Sequence, residues 1–471
     1  MLPKVKNFNI YPSVIPVRKT CRMTVIPTER VYLLSEDKEY KITVIPRNGD
    51  EPFYYTPIAF DEFPVKAENG IITFDFAFDE EQEYLIHLTH DTKVIGVFNV
   101  YALEEDLYSL KALKGDLHAH SHRSDGARDP AALMGHFREQ GYDFLALTDH
   151  NRYFTGEEME EAYKGVRLGI TRVKGEEVHT PGSTVHIVHV GGEKSVASKY
   201  IEDRDEYEKA WREYLKKVPE NIPEQYAERY AKIMWASDCI HNVGGLAIFP
   251  HPYWMPKGRL HNVKDEFAAI LLKSGMFDAF ELIGGASVMG NNRNVALLSE
   301  IQREGCDISV VGSSDVHKIE SSPVFPHYFT VCFAKENSND AIMEAVKSGL
   351  SVAVEAQGNE YERVHRAYGK LRLVSYAQFL LTHYFPERAR MCAGEGIVMR
   401  SYLMGYASAS LIESLVEFNA QFTDRFFGRL APILPSPEIL EYEEKWRQVQ
   451  IEKGPITCGG NVDSETVTRK V

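Results

Sequence analysis

Five short stretches, each closing or following an apolar run, constrain this chain more than any other feature. They are His118-Ala119-His120 with Asp125, Asp149-His150, Glu177 with His186, His251, and Asp315-Val316-His317. Setting Asp149 apart, they offer nine oxygen and nitrogen donors: His118, His120, Asp125, His150, Glu177, His186, His251, Asp315 and His317. That is too many for one ion and suits two or three. Clustered divalent ions near neutral pH activate water against an electrophilic centre.

Strand geometry says which of these groups share a face. Side chains repeat every two residues along a strand, so His118 and His120 point the same way. Asp125-Gly126 falls in the following turn, where glycine permits a tight backbone. Phe144–Thr148 is an apolar run that ends in Asp149-His150, and Asp149 is a natural partner to orient a ligand. Glu176 and Glu177 face opposite ways, as do His186 and His189, so one of each pair enters the site. Gly245–Phe249 ends at His251, held between two prolines that restrict the backbone. The other histidines, among them His122, His179 and His189, are read as surface or core side chains, with His122 the alternative to Asp125.

The surroundings of these motifs set the fold class. Residues 1–112 carry short β-branched and aromatic runs, at 30–34, 40–45, 70–76 and 83–88. Turn signals such as Asn48-Gly49-Asp50 and Glu68-Asn69-Gly70 separate them, which is a small β-sandwich pattern. From 113 to 358 buried strands (Phe144–Thr148, Thr184–Val190, Gly245–Phe249, Phe277–Ile283, Ile308–Gly312, Tyr328–Phe333) alternate with helical stretches such as Pro130–Gln140 and Asn294–Glu304. That alternation predicts an α/β barrel with its site at one mouth. A Glu-, Lys-, Arg- and Tyr-rich helical insertion at about 194–238 is either a lid over the site or a solvated helix pair. Residues 359–471 read as a helical cap or extension, with helices over Val364–Tyr384 and Ile397–Asn419 and an extended tail from about Gly454.

Composition then removes several classes. The 471 residues carry 44% apolar and 26% charged side chains and a formal net charge of -15. The chain is therefore expected to be globular, and nucleic acid is disfavoured as a partner because no basic stripe stands out. No apolar run is long enough to span a bilayer, and no leader-like apolar region follows the N-terminus. Six scattered cysteines form no CxxC pair, so a reducing, cytoplasmic setting is expected. Arg152, Arg293 and Lys318 neighbour the motifs and are candidates to contact an anionic substrate. An oligomer is compatible with everything in the sequence.

Taken in order, DLHAHSHRSDG, TDHN, GEEV with the later VH, FPHP and GSSDVH resemble the PHP (polymerase and histidinol phosphatase) family of metal-dependent hydrolases. The resemblance covers about residues 114–355. It implies a distorted (β/α)7 barrel and two or three divalent ions, with Zn, Mn and Fe equally suited to the donors. It further implies that His118, His120, Glu177 and Asp315 hold one ion, that Glu177 bridges to a second completed by His186 and His251, and that Asp125, His150 and His317 hold a third. His251 or Asp149 is the candidate to relay a proton. The expected small-molecule substrate is a phosphomonoester or phosphodiester. The N-terminal β domain is similar to that of a carbaryl-hydrolase-like branch, which brings in a carboxylic ester, amide or carbamate as the alternative. The rival of another class is a binding or regulatory module whose metals are structural.

Overall fold

The computed structural model describes residues 6–48, 60–258, 260–285, 287–357 and 364–454. Two compact units emerge. One is Glu104–Thr423; the other joins Pro3–Leu103 with Asp424–Val471. The cuts therefore fall at 103/104 and 423/424, so that the C-terminal helices divide between the two units.

In the second unit, two sheets share one apolar core. The smaller has Phe8–Tyr11, Thr20–Pro27, Ile71–Ala77 and Ala67–Glu68 side by side. The larger runs Val14–Pro16, Lys93–Leu103, Gln82–His90, Tyr40–Pro46, Asp61–Val65. Met23, Val25, Ile72, Ile42, Ile86 and Val100 from the two sheets are fully or almost fully buried together. The Asn69-Gly70 turn places both residues in the left-handed region (φ 52° and 78°), as a tight hairpin requires. One expectation changes here. Arg30–Tyr32 forms a short 3-10 turn instead of a strand. The Asn48-Gly49-Asp50 turn lies mostly outside the described residues, as does the tail after Gly454.

In the first unit, two mixed sheets are laced together along their edges. One runs Thr171–Val173, Phe144–Leu147, Lys111–Ala119, Tyr328–Ala334, Ser351–Gln357, Val364–Tyr368. The other runs Gly175–His179, His186–Gly191, Gly245–Phe249, Ala279–Ile283, Ser309–Gly312. At one seam Glu177 donates its N–H to Thr148 O at 3.0 Å and Asn151 donates to Glu177 O at 2.8 Å. At the other, Thr330 Oγ1 donates to Gly312 O at 2.7 Å and Ser351 Oγ to Val310 O at 2.8 Å. Parallel and antiparallel pairings mix. The reason is local: Thr180–Val185 is long enough for a hairpin and too short for the crossover helix that a parallel neighbour needs.

The insertion is packed, not loose. It forms Ala197–Glu202, Arg204–Leu215 and the start of Glu224–Asn242. Tyr207, Trp211, Tyr226 and Tyr230 are buried in one core with Phe249, Phe267 and Phe280. The polar face carries Glu208, Arg212 and Lys216. Among the described residues no helix is long and apolar enough to cross a membrane.

Val364–Tyr368 is an edge strand paired with Ser351–Gln357, where a helix was expected. Gly369 ends it before the helix Leu371–His383. The expected Ile397–Asn419 helix is two, Phe385–Leu403 and Ala409–Phe426, broken at Gly405 with φ 75°. Buried charges fasten Phe385–Leu403 to the helix Pro130–Glu139 and the loop after it. Arg138 pairs with Asp143 at 3.3 Å and with Glu395 at 2.8 Å, and Arg388 reaches Asp143 at 2.5 Å. Asn419 and the Gly169 N–H both donate to Glu395 at 2.8 Å. Two cations face two anions, so no buried charge is left unopposed. Gly396 lets the helix pass so close that a Cβ there would collide with the Gly135 carbonyl.

Removing one member of this network uncovers its partners. Arg138→Leu is expected to lower unfolding free energy by roughly 3–5 kcal/mol, whereas Arg167→Ala, on an exposed pair, changes it by about 0.5 kcal/mol or less. Urea unfolding checks both; equal effects would show that the network is not what holds the helix.

Candidate metal centre

The site gathers where strands of both sheets end. His118 lies in Lys111–Ala119 with His120 just past it. Asp149-His150 follow Phe144–Leu147, His251 follows Gly245–Phe249, and Asp315 and His317 follow Ser309–Gly312. Glu177 and His186 come from the antiparallel hairpin. Ala119 bridges to Val316 and His150 to Glu177, which closes the mouth.

At the centre stands the Glu177 carboxylate, with three imidazoles against each oxygen. Oε1 lies 2.6 Å from His186 Nδ1, 3.3 Å from His251 Nε2 and 3.4 Å from His179 Nε2. Oε2 lies 2.8 Å from His150 Nδ1 and 3.5 Å from the Nε2 atoms of His118 and His120. Asp315 Oδ1 adds a second anion, 2.9 Å from His120 and 3.3 Å from His118. Nearer the surface, Asp125 Oδ1 stands 3.3 Å from both His150 Nε2 and His317 Nε2.

Four overlapping donor groups are compact enough to hold an ion: His120, Asp125, His150 and His317; His118, His120 and Asp315; His118, Glu177 and His251; and His150, Glu177 and His179. The donors fit that role. Both Glu177 oxygens, His118 Nε2, both His120 nitrogens, His150 Nδ1, His179 Nε2 and His186 Nδ1 are buried without a well-formed hydrogen bond. Buried polar atoms are otherwise nearly always satisfied.

The electrostatics point the same way. Burial opposes charge on Glu177, yet His118, His150 and His179 hold its carboxyl well below the usual range. Asp315 is likewise held low, against burial, by His118, His120 and His251. Burial pushes His186 down to about 4 and lowers His120. His118 rises well above the ordinary imidazole range against its own burial, because Asp315, Glu281 and Glu177 surround it.

A supporting layer orients the donors. His118 Nδ1 donates to Glu281 Oε2 at 2.8 Å and so turns Nε2 inward. His317 Nδ1 donates to the Asp315 carbonyl at 2.9 Å with the same result. Asp116 accepts from the backbone N–H groups of His118 (3.0 Å) and Ser314 (3.1 Å), tying two ligand segments together. Asp149 accepts from Ser121 N, Ser121 Oγ and Ser124 Oγ at 2.8, 2.7 and 2.6 Å, and so shapes the loop bearing Asp125 rather than touching an imidazole. Gly126 is required in that loop, since a Cβ would strike the His120 and Ser121 carbonyls. His251 and Asp315 hold positive φ of 26° and 51°, a strain of about 1–3 kcal/mol each that a packed site sustains.

Other expectations resolve residue by residue. Glu176 and His189 turn to the opposite face, 3.3 Å apart, and Glu176 caps the start of Ala197–Glu202. His122 bonds the Arg128 carbonyl, outside the donor groups. Arg293 is engaged by Asp265 at 2.6 Å and lies over the Tyr253 ring. Arg152 and Lys318 are exposed. Trp254 stands at the rim, 38% exposed, with its ring 5.8 Å from His186 and 6.1 Å from His251. Two residues were passed over in the sequence. Glu281 announces itself as a carboxylate inside the apolar run Ala279–Ile283. His179 lies two residues after Glu177 and hence on its face.

No family model matches the chain. A curated 5'-3' exoribonuclease of Haemophilus influenzae is 39% identical over 84 residues, 17% of this chain and 30% of that protein. The chain thus matches under a third of that relative's length. A solved Bacteroides vulgatus two-domain protein containing a predicted PHP-like metal-dependent phosphoesterase shares 22% identity, 52% of this chain and 65% of its own, at TM-score 0.35. A Bifidobacterium adolescentis structure described as a metal-dependent phosphoesterase shares 18% identity over 45% of this chain and 91% of its own, at TM-score 0.33. The chain is similar to PHP-type metal-dependent hydrolases. An amidohydrolase of Chromobacterium violaceum, solved with sulfate and no metal, shares 20% identity over 44% of this chain and 88% of its own, at TM-score 0.30.

Two outcomes follow. Glu281→Gln keeps the shape but weakens the hold on His118, and is expected to reduce metal affinity roughly 10- to 100-fold; calorimetry with an unchanged affinity would contradict this. Because Asp315, Glu281 and Glu177, against its burial, raise His118 well above the ordinary imidazole range, metal binding must displace a proton wherever that imidazole is charged. Affinity should therefore rise with pH, with proton release that scales with buffer ionisation enthalpy; a pH-independent affinity would contradict it.

Proposed function

We propose that this chain is a PHP-type metal-dependent hydrolase that cleaves a phosphomonoester or phosphodiester. The observation that carries the proposal is the Glu177 carboxylate, ringed by six imidazoles yet with neither oxygen in a well-formed hydrogen bond. The frame we read for it is the distorted (β/α)7 barrel of that family.

His118, His120, Glu177 and Asp315 would hold one ion, His186 and His251 with Glu177 a second, and Asp125, His150 and His317 a third; Zn, Mn and Fe suit them alike. When bound, such ions lower the pKa of water toward neutrality and offset charge on a phosphoryl group. The chain's residues supply direction. His118, His120, Glu177 and His251 are buried, whereas Asp125 and His317 are 55% and 34% exposed. Substrate therefore enters on the Asp125 side. Arg152 and Lys318 lie exposed beside His150 and His317, where they meet an anionic group. His251 is buried and Asp149 spends its oxygens on serines, so both serve to position the cluster more than to pass protons to solvent.

One observation favours the second reading, a neutral ester, amide or carbamate. Arg123, Arg128 and Arg293 are engaged by Glu158, Glu320 and Asp265, and Trp254 gives the rim an apolar face. A purely structural centre is disfavoured by the donor count, since closed structural sites use four ligands. The matched relative named a 5'-3' exoribonuclease makes a phosphodiester in RNA one substrate to try.

The test is a panel of phosphomonoesters, phosphodiesters, carboxylic esters and carbamates, run with and without chelator. Chelator-sensitive cleavage of a phosphoester, lost in His118→Ala and Asp315→Ala by at least about 10³-fold, is the expected result. Cleavage confined to carboxylic esters or carbamates moves the assignment to the second reading, and full activity in either variant rejects it.

A further inference from the structure

Glu177 Oε1 has one more imidazole beside it than the ligand set carried over from family resemblance supplies. That set gives it His186 and His251; the structure adds His179 Nε2 at 3.4 Å. The placement is built in by the hairpin. Glu177 and His179 are two apart on one strand and so share a face. His179 is also the direct cross-strand partner of His186, and the rings stack with centroids 3.8 Å apart.

The main chain at His179 is held in place. Its backbone N–H donates to Asn151 Oδ1 at 2.8 Å, and the Tyr200 hydroxyl donates to the same oxygen at 2.5 Å. Asn151 itself sits in the left-handed region with φ 56° and donates its N–H to the Glu177 carbonyl at 2.8 Å. The packed insertion therefore fixes His179 through Tyr200. Although part of the ring is exposed, Nε2 is buried and lacks a well-formed hydrogen bond. It also lies in a compact donor group with Glu177 and His150.

We propose that His179 is a further metal ligand, on an ion that it shares with Glu177. The proposal rests on the reading of this cluster as a metal centre. Its consequence is a firmer hold on that ion. One more imidazole brings the protein donors toward the four at which tetrahedral sites close. The ion beside His179 is then the retained one.

Two measurements test this on the full chain. In a crystal structure of the zinc-loaded wild type, His179 Nε2 should lie about 2.0–2.1 Å from an ion shared with Glu177; a separation beyond about 3 Å from every ion overturns the proposal. Zinc release to a chelator from the wild type should show one slow equivalent, and His179→Ala should accelerate that equivalent at least about tenfold while leaving the faster ones unchanged. Identical release in both proteins overturns the proposal and leaves the metal centre standing. If the variant does not fold, the wild-type crystal structure decides. A wild type that binds no zinc at all removes the metal-centre reading, and this proposal with it.

Discussion

One buried carboxylate organises this molecule. Glu177 is almost wholly enclosed, and an ionised carboxylate in such a place is costly unless paired. Each of its oxygens faces three imidazole nitrogens, contributed by five separate segments of the chain. Imidazoles packed this tightly repel one another once protonated and leave nitrogens unsatisfied when neutral. Divalent cations resolve both problems, since they bind neutral imidazole and ionised carboxylate alike. The strained backbone at His251, Asp315 and Asn151 belongs to the same requirement. These residues are bent into place so that their side chains converge.

The rest of the unit serves that convergence in layers. Glu281, Asp116 and the Asp315 carbonyl aim imidazoles or tie ligand segments together. Asp149 shapes the loop that carries Asp125. The helical insertion reaches the site through Tyr200 and Asn151. Farther out, Arg138, Asp143, Arg388 and Glu395 clamp the helix Phe385–Leu403 to the helix Pro130–Glu139 with opposed buried charges.

Much of this could be read from residue order, and the exceptions have physical causes. The nine donors stand out because they punctuate apolar strands, and strand alternation separates Glu177 from Glu176 and His186 from His189. The same alternation places His179 on the Glu177 face, but a histidine outside the family pattern carries no label in the sequence. Glu281 could be suspected from its apolar neighbours, though its partner lies 163 residues away. Val364–Tyr368 looked helical because its residues suit either state; the open edge of Ser351–Gln357 decided it. The clamp of Arg138 on Glu395 was invisible, since ion pairs between distant helices leave no local pattern.

The account stands or falls on whether these side chains bind cations. Titration of the metal-free chain with Mn²⁺ or Zn²⁺, followed by calorimetry and elemental analysis, measures this directly. Two or three equivalents per chain, reduced in Glu177→Gln, are the predicted result. A wild-type chain that takes up no stoichiometric metal would contradict it.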